Sequence, residues 1–415
     1  MGRVRALICA LGLLVAAGCS SGQAVGQAKP ELVVGAVYPL NGPQAEGGMQ
    51  ELGGVRAALA VAGLSRRVQL DVVSAETPAA ARAAVDRLID RDHVSVIVGT
   101  YGSTLSEAAA ARADARHVVY WETGAVADLV TQHRQYVFRT VATGMTLGTT
   151  AVDFTDRVLL PAAALAPQAS RAVIVNVDDV YGRSVADAEQ SLAAQLGIPV
   201  VDRIEYDPNL LDPARIAAAV AAAQADYLWD VSYVDDGIAI WKAILERGVH
   251  LRAAVGTSSA FCMPEFGQRL GRQALGVYAA DKPDDQVSPA ALTPAGRGLL
   301  EKARAAYAAE GLGRRMPIPG VAGFVGGWTL FHEVLPKVKG AVIPDAVRQA
   351  AYQVDDPMYT SINGGGVKFA GPDQPDAGQN LRAPSVVGQW QAVGQMKTVY
   401  PASFADGRPM SYNAR

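Results

Sequence analysis

The chain has 415 residues, half of them apolar and 19% charged, which is enough to bury a large core and rules out global disorder. Its 40 acidic and 37 basic residues give a net charge of −3, and the lack of a basic stretch argues against nucleic acid as the main partner. Three cysteines and five scattered histidines provide neither a disulfide framework nor a metal quartet, so we expect a two-lobed α/β protein without a metal or cofactor.

The N-terminal segment is typical of an export signal. Arg3 and Arg5 precede an apolar run at residues 6–17, which is shorter than the roughly 20 residues that a membrane-spanning helix needs. The small residues before Cys19 resemble a bacterial lipoprotein signal. We therefore predict a signal peptide at residues 1–18, followed by a lipidated Cys19 and a flexible tether at 19–30. The alternative is an ordinary secretory signal with an incidental Cys19.

From residue 32 onward, short apolar runs alternate with segments of helical spacing, as in parallel sheets covered by helices. A first group has predicted strands at 32–37, 68–74, 94–98, 118–121 and 136–139, with helices at 48–62, 78–90 and 105–115. A second group has predicted strands at 172–177, 200–206, 227–231, 253–255 and 276–279, with helices at 185–196, 213–223 and 237–247. Two such groups predict two doubly wound, Rossmann-like lobes.

The pattern changes after residue 280. Three predicted helices follow without a strand between them, at 295–310, 321–335 and 344–352, and two short strands come last, at 385–390 and 396–400. Because helices without strands cannot form a further α/β lobe, we expect them to cover the first lobe. We expect the last strands to complete the second lobe. The chain then crosses between the lobes three times. The predicted boundaries are 31–142 with 281–370 for lobe 1, 143–280 with 371–403 for lobe 2, and a tail at 404–415.

Polar side chains follow the third predicted strand, at the strand end where doubly wound sheets bind ligands. Tyr101, Ser103 and Thr104 lie in this loop, and the two hydroxyls of Ser103 and Thr104 adjoin the free N–H groups of a helix N-terminus. This arrangement favours a carboxylate ligand. The alternative is a plain N-cap that binds nothing.

The next strand ends in an aromatic residue, an acid and a hydroxyl, at Trp121, Glu122 and Thr123. These side chains are predicted to form a pocket floor that binds a cation. The alternative is that Trp121 lies in the core and Glu122 is solvated.

Strand ends in the second lobe carry similar residues. Asp178 and Tyr181 follow one strand, Tyr233 and Asp235 follow another, and Thr257 follows a third. The tyrosines are placed to cover a ligand, whereas the aspartates have the alternative role of capping helices. The coincidence of five such loops predicts a ligand cleft between the lobes.

Known catalytic patterns are missing from the sequence. It has no nucleophile elbow, Walker loop, zinc-protease motif or dinucleotide fingerprint. Asp235 and Asp236 are adjacent, so on a helix they point about 100° apart and cannot work as an acid–base pair. We therefore do not expect an enzyme.

The order of several motifs resembles a known family. The lipoprotein signal, GAVYPLNGP, VIVGTYGST, YVFRT, DDVYG and a terminal GVKF…GQNLRAPSVVGQWQ…KTVYP together resemble the branched-chain amino acid, amide and urea class of ABC-transporter substrate-binding proteins, over about residues 31–401. This resemblance implies a type I periplasmic binding protein, a monomeric clamshell with a three-crossover hinge. It also implies delivery of a small solute to an ABC permease in the cytoplasmic membrane.

The resemblance also implies roles for single residues. Ser103 and Thr104 would take an α-carboxylate, Thr123 would bind nearby, and Tyr181 and Tyr233 would close over the ligand. The loop that supplies an acid to the ligand's ammonium group departs from the family pattern, since residues 256–259 read Gly-Thr-Ser-Ser.

An ammonium group would then need another acid, namely Glu122, Asp178 or Asp235, because an unpaired buried ammonium is costly. Otherwise the ligand is not an amino acid, and Trp121 would stack on an aromatic or apolar solute.

We therefore predict an extracytoplasmic solute-binding lipoprotein of an ABC importer. It is expected to be anchored to the bacterial cell membrane, in the periplasm or on the outer face, and to bind a small carboxylate-bearing metabolite, either an amino acid or a related acid or amide. The alternatives are a sensor that signals to a membrane partner, or a binder of aromatic or apolar solutes.

Overall fold

The computed structural model describes residues 32–410. The predicted signal peptide, the tether and the lipidation site at Cys19 lie outside the described residues.

The described chain has a mixed α/β fold of fourteen strands and twelve α-helices. The strands are β1 (Leu32–Tyr38), β2 (Val68–Ser74), β3 (Val96–Gly99), β4 (Val119–Glu122), β5 (Val137–Arg139), β6 (Ala172–Val177), β7 (Val200–Tyr206), β8 (Tyr227–Val231), β9 (Ala253–Thr257), β10 (Tyr278–Asp281), β11 (Asp355–Asp356), β12 (Val367–Lys368), β13 (Val386–Ala392) and β14 (Gln395–Tyr400). The helices are α1 (Ala45–Val61), α2 (Pro78–Asp90), α3 (Ser103–Ala115), α4 (Gly144–Phe154), α5 (Leu160–Ala162), α6 (Val180–Leu196), α7 (Pro213–Ala223), α8 (Val234–Glu246), α9 (Pro264–Leu270), α10 (Pro294–Ala309), α11 (Ile318–Trp328) and α12 (Pro344–Ala351).

The strands form two main sheets. The first has five parallel strands in the order β2-β1-β3-β4-β5, and the second has seven in the order β14-β13-β10-β9-β8-β6-β7. Strands β6 to β10 are parallel, whereas β13 and β14 are antiparallel to their neighbours. The predicted class of two doubly wound α/β units is therefore confirmed, while the exact lobe boundaries remain a prediction.

The C-terminal third of the chain contributes to both sheets. The core around Trp121 and Phe138 of the first sheet includes Leu330, Val347 and Phe369 from the returning chain. Strand β13 pairs with β10 in the second sheet, with Val386 opposite Asp281. The returning chain thus packs on the first sheet and on α1, and the last strands extend the second sheet.

Some helices differ from those expected from the sequence. Helix α6 begins at Val180, five residues earlier than predicted, because the Asp179 carboxylate caps it by accepting the N–H of Gly182 at 2.9 Å. Helices α4 and α9 were not predicted.

Helices α1 and α11 pack unusually closely, through glycines. A Cβ on Gly323 would lie 1.9 Å from the carbonyl oxygen of Glu51, and one on Gly54 would lie 2.1 Å from the carbonyl oxygen of Gly320. Backbone meets backbone at these points, so no side chain can move aside. The glycines therefore fix the position of Glu51.

We expect Gly323→Ala to lower the free energy of unfolding by about 3 kcal/mol, because the added methyl group forces the two helices apart. Gly298 is the matched control, since it is exposed within α10 and an added Cβ there meets nothing within 4 Å. Gly298→Ala should leave stability unchanged or raise it by up to about 1 kcal/mol. Denaturant unfolding of both variants measures the difference, and equal effects would contradict the close-packing argument.

Candidate functional site

Strand-end loops of the two sheets meet across a cleft. The Thr104 hydroxyl, after β3, donates to the Asp179 carboxylate, after β6, at 3.0 Å. From the same first-sheet loop, the Tyr101 hydroxyl makes a hydrogen bond with Ser259, which follows β9. Burial raises the pKa of Tyr101, so its hydroxyl stays protonated. These contacts bring Tyr101 and Thr104, both predicted site residues, to the interface between the lobes.

Two tyrosines of the second lobe lie beside this junction. The Tyr233 hydroxyl donates to Asp179 at 2.6 Å, and the rings of Tyr181 and Tyr233 are 5.4 Å apart. The Tyr181 hydroxyl donates to the carbonyl oxygen of Thr257 at 2.5 Å. The structure thus brings together both tyrosines that were expected to cover a ligand.

Glu122 has a different role from either of its predicted ones. The side chain is completely buried, and its Oε1 accepts the N–H groups of Gly124 and Ala125, each at 2.6 Å. Its Oε2 accepts the Ser106 hydroxyl and the N–H of Thr100. Burial raises the pKa of Glu122 to about 7. The carboxylate is neither solvated nor open to a cation, because its hydrogen bonds shape the loop after β4.

Thr123 contacts Glu51, an acid that was not among the residues predicted from the sequence. Its hydroxyl donates to Oε1 of Glu51 at 2.6 Å and lies 2.7 Å from the hydroxyl of Tyr38. Oε2 of Glu51 is buried without a hydrogen-bond partner among the described residues, against Gly124. Burial and the nearby Glu122 raise the pKa of Glu51.

The sequence does contain a signal for Glu51. It is the one charged side chain on the buried part of α1, between the pairs Gly47-Gly48 and Gly53-Gly54. Glycines on one face of a helix allow a second backbone to pack closely against that face. An acid on the same face is therefore expected to be buried rather than solvated.

A buried ion pair follows β10, at a strand end that the sequence analysis did not consider. Nζ of Lys282 lies 3.1 Å from Oδ1 of Asp281 and 3.4 Å from the carbonyl oxygen of Gly124, in the loop after β4. Lys282 is 7% exposed and Asp281 is 2% exposed. Oδ2 of Asp281 accepts the Cys262 thiol at 2.7 Å, and burial raises the pKa of that thiol. Cys262 is a free, buried cysteine.

A completely buried arginine supports the first-lobe side of the cleft. Arg139, at the end of β5, donates to the carbonyl oxygen of Ala127 and to Oε1 of Gln379, both at 2.6 Å, and to the Thr131 hydroxyl at 3.2 Å. Burial lowers the pKa of Arg139 to about 10, so the guanidinium stays charged at neutral pH. It ties the loop after β4 to a returning segment of the chain.

The structure places Trp121 in the core, as its alternative expectation stated, and not among ligand-binding residues. This side chain is completely buried, packs against Phe138 and Phe369, and donates from Nε1 to the carbonyl oxygen of Gly326 at 2.9 Å. Because all its contacts are with core residues, Trp121 does not stack on a ligand.

Two further predicted residues point into their own lobes. Oγ of Ser103 accepts the N–H groups of Val126 and Ala127, at 3.3 and 3.1 Å. The Thr257 side chain is directed at Glu189, 3.4 Å away, and only its carbonyl group contacts Tyr181. Ser103 therefore supports the loop after β4, and the Thr257 hydroxyl belongs to the lobe interior.

Asp178 and Asp235 lie on the surface. Half of the Asp178 side chain is exposed, and it pairs with Arg183, while the more exposed Asp235 pairs with Arg269. Neither supplies the acid that an ammonium group would need in the cleft.

Between residues 32 and 410, no group of three or more histidine, cysteine, aspartate or glutamate side chains is arranged to hold a metal ion. Over the same range, none of the helices combines the length and apolarity required to cross a membrane.

Known proteins match this chain over nearly its whole described length. A family model described as periplasmic binding protein matches residues 31–392. The Leu/Ile/Val-binding protein homolog 8 of Brucella abortus is 29% identical over 380 residues, which cover 89% of this chain and 91% of that protein. A leucine-binding protein from Thermotoga maritima superposes with a TM-score of 0.76 at 17% identity, covering 88% of this chain and 97% of that one. A solute-binding protein from R. palustris in complex with benzoate superposes with a TM-score of 0.73 at 16% identity, covering 92% of this chain and 98% of that one.

Proposed function

The chain belongs to the periplasmic binding protein family, and on that basis we propose that it is the solute-binding component of an ABC importer. Members of this family are non-enzymatic components of transport and act outside the cytoplasm. The proposed protein carries a lipid on Cys19, works as a monomer and delivers its solute to a permease in the cytoplasmic membrane. Its solute is a small carboxylate-bearing metabolite, either an amino acid or a related organic acid or amide.

The observation that carries the proposal is the set of hydrogen bonds between the lobes. Thr104 with Asp179 and Lys282 with Gly124 join strand-end loops of different sheets around buried polar groups. The bond between Thr104 and Asp179 forms only when the lobes approach, so a solute that holds the lobes together gains it as additional stabilisation. The names of the Brucella relative and of the benzoate complex are in keeping with a small acid in this cleft.

A thermal-shift panel tests the solute class. The purified full chain is unfolded and refolded once to remove carried solute, then heated with amino acids, keto acids, aromatic carboxylates, short amides and urea. A solute at 100 times its Kd should add about 2.7 kcal/mol to the free energy of unfolding and raise the thermal unfolding midpoint clearly. A panel without any shift would contradict the proposed solute class.

Thr104→Val should weaken solute binding about three- to tenfold, since it removes a hydrogen bond made only between closed lobes. The matched control is Thr149→Val, because that hydroxyl donates within α4 to the carbonyl oxygen of Met145 at 2.8 Å. Isothermal titration with the best solute of the panel gives both Kd values. An unchanged Kd for Thr104→Val would mean that the bond does not contribute to closure.

A further inference from the structure

Two neighbouring loops at one end of the first sheet are basic and contain no acidic residue. Residues 63–67 read Gly-Leu-Ser-Arg-Arg, and residues 336–343 read Pro-Lys-Val-Lys-Gly-Ala-Val-Ile. The loops lie side by side, because Nη2 of Arg66 donates to the carbonyl oxygen of Val338 at 3.2 Å. We call this surface the basic end, and its charged residues are Arg66, Arg67, Lys337 and Lys339.

Most of this positive charge is not neutralised by the protein itself. Lys337 lies 3.6 Å from Glu333, whereas the other three side chains form no ion pair within the part of the chain that the structure describes. Arg67 and Lys339 are exposed. Ile343, which is 53% exposed, adds an apolar side chain to the second loop. Basic side chains beside an exposed apolar one are typical of surfaces that meet anionic lipid headgroups.

The corresponding end of the second sheet is different. There Nε of Arg252 lies 2.8 Å from Oδ1 of Asp226, and the backbone N–H of Arg171 donates to the other oxygen of the same carboxylate at 3.1 Å. The Arg171 guanidinium donates to the carbonyl oxygens of Gln224 and Ala223. The unpaired charge is therefore a property of the first lobe and not of both sheets.

The basic end is also where the N-terminal segment joins the fold. The N–H of Leu32, the first residue of β1, donates to the carbonyl oxygen of Arg67 at 3.1 Å. The chain from Cys19 to Leu32 spans at most about 45 Å when fully extended. A lipid on Cys19 therefore keeps this end of the first lobe close to the membrane. The strand-end loops of the cleft lie at the opposite ends of the parallel strands, about 20 Å away.

We propose that the basic end of the first lobe docks on anionic phospholipid headgroups of the membrane that carries the protein. This inference rests on the proposed function, since the lipid on Cys19 brings the surface to the membrane. Each basic side chain gains a favourable interaction that acts within a Debye length of the headgroups, and the tether raises the local concentration of the basic end there. The docked lobe stands on the membrane with its cleft in the aqueous phase, where the solute arrives.

Vesicle binding by the full chain tests the proposal. Cosedimentation is measured with vesicles of phosphatidylcholine alone and with vesicles that also contain about 30% phosphatidylglycerol, at low salt and at about 0.5 M salt. The double variant Arg67→Gln with Lys339→Gln should bind the anionic vesicles about tenfold or more weakly than the wild type at low salt. High salt and neutral vesicles should both abolish this difference, because they remove the electrostatic interaction.

The matched control removes the same charge from the second lobe. Arg215 and Arg272 are exposed and have no ion-pair partner within the described chain. Arg215→Gln with Arg272→Gln should change binding to the anionic vesicles by less than about twofold. All variants share residues 1–31, so the contribution of that segment cancels in the comparison. Thermal midpoints show that each variant is folded.

Two outcomes overturn the basic end as a docking surface. Equal weakening by the two double variants means that net charge alone governs binding, and equal binding of Arg67→Gln with Lys339→Gln and the wild type means that these side chains do not meet the lipid. Failure of the proposed function is seen separately. The solute panel contains no vesicles, and the intact mass shows whether Cys19 carries a lipid, so either part can fail while the ranking of the variants on anionic vesicles stands.

Discussion

Replacing Arg139 by methionine is expected to lower the free energy of unfolding by about 3–5 kcal/mol. The guanidinium is completely buried and donates to Ala127, Thr131 and Gln379. Methionine fills part of the volume but donates nothing, so these oxygens stay buried without a donor. The nearby carboxylate of Glu122 also loses a positive charge that lowers its pKa. Denaturant unfolding followed by tryptophan fluorescence measures the loss.

Arg171 provides the control for this prediction. It also donates to backbone carbonyl oxygens, those of Gln224 and Ala223 at 3.0 and 2.9 Å, but it is exposed. Water replaces the lost donor there, so Arg171→Met should cost less than about 1 kcal/mol. Similar losses for both variants would show that burial of Arg139 is not the source of its effect. Arg139→Lys should fall between the two, because one ammonium group cannot reach all the acceptors of a planar guanidinium.

Asp230→Asn is expected to remove a large pH dependence of stability. Burial raises the pKa of Asp230 to about 7, whereas an aspartate in an unfolded chain titrates near about 4. Between these pH values the folded protein keeps a proton that the unfolded chain has released. The free energy of unfolding therefore falls as the pH rises, by up to about 1.4 kcal/mol per pH unit, until the folded group also ionises.

The asparagine side chain of the variant is neutral at every pH. The free energy of unfolding of the variant minus that of the wild type should therefore grow from pH 4 to pH 7 and then stay constant. Glu189 adds to the effect, since burial and the charge of Asp230 both raise its pKa. Denaturant unfolding at several pH values gives the two curves, and Asp202→Asn on the exposed side of β7 serves as the control. Parallel curves for wild type and Asp230→Asn would refute the prediction.

The fold was largely predictable because its strands are apolar runs between turn residues. Strands β2, β6, β7 and β8 have the bounds expected from the sequence. Helix α4 was missed since its sequence, GMTLGTTAVDF, is rich in glycine and threonine, which have low helix propensity. Its formation depends on packing against α6, which the sequence does not display.

The candidate site was less predictable. The strand-end rule selected Tyr101, Thr104, Tyr181 and Tyr233, which the structure brings together where the two sheets meet, whereas Thr123 is buried against Glu51. It does not tell which way consecutive side chains point.

Trp121 and Thr257 therefore turned out to face the interior, and Asp178 and Asp235 the solvent. Glu51 belongs to a helix, so no rule about strand ends would find it.

The return of the chain to both sheets has a consequence for biosynthesis. The core of the first sheet takes residues from the returning chain as late as Phe369, and β13 and β14 extend the second sheet up to residue 400. A polypeptide that emerges N-terminus first therefore leaves the core of the first sheet incomplete until about residue 370 has been made, and the second sheet incomplete until about residue 400. A premature stop in the last strands leaves the second sheet incomplete even though every residue proposed to contact the solute is already present.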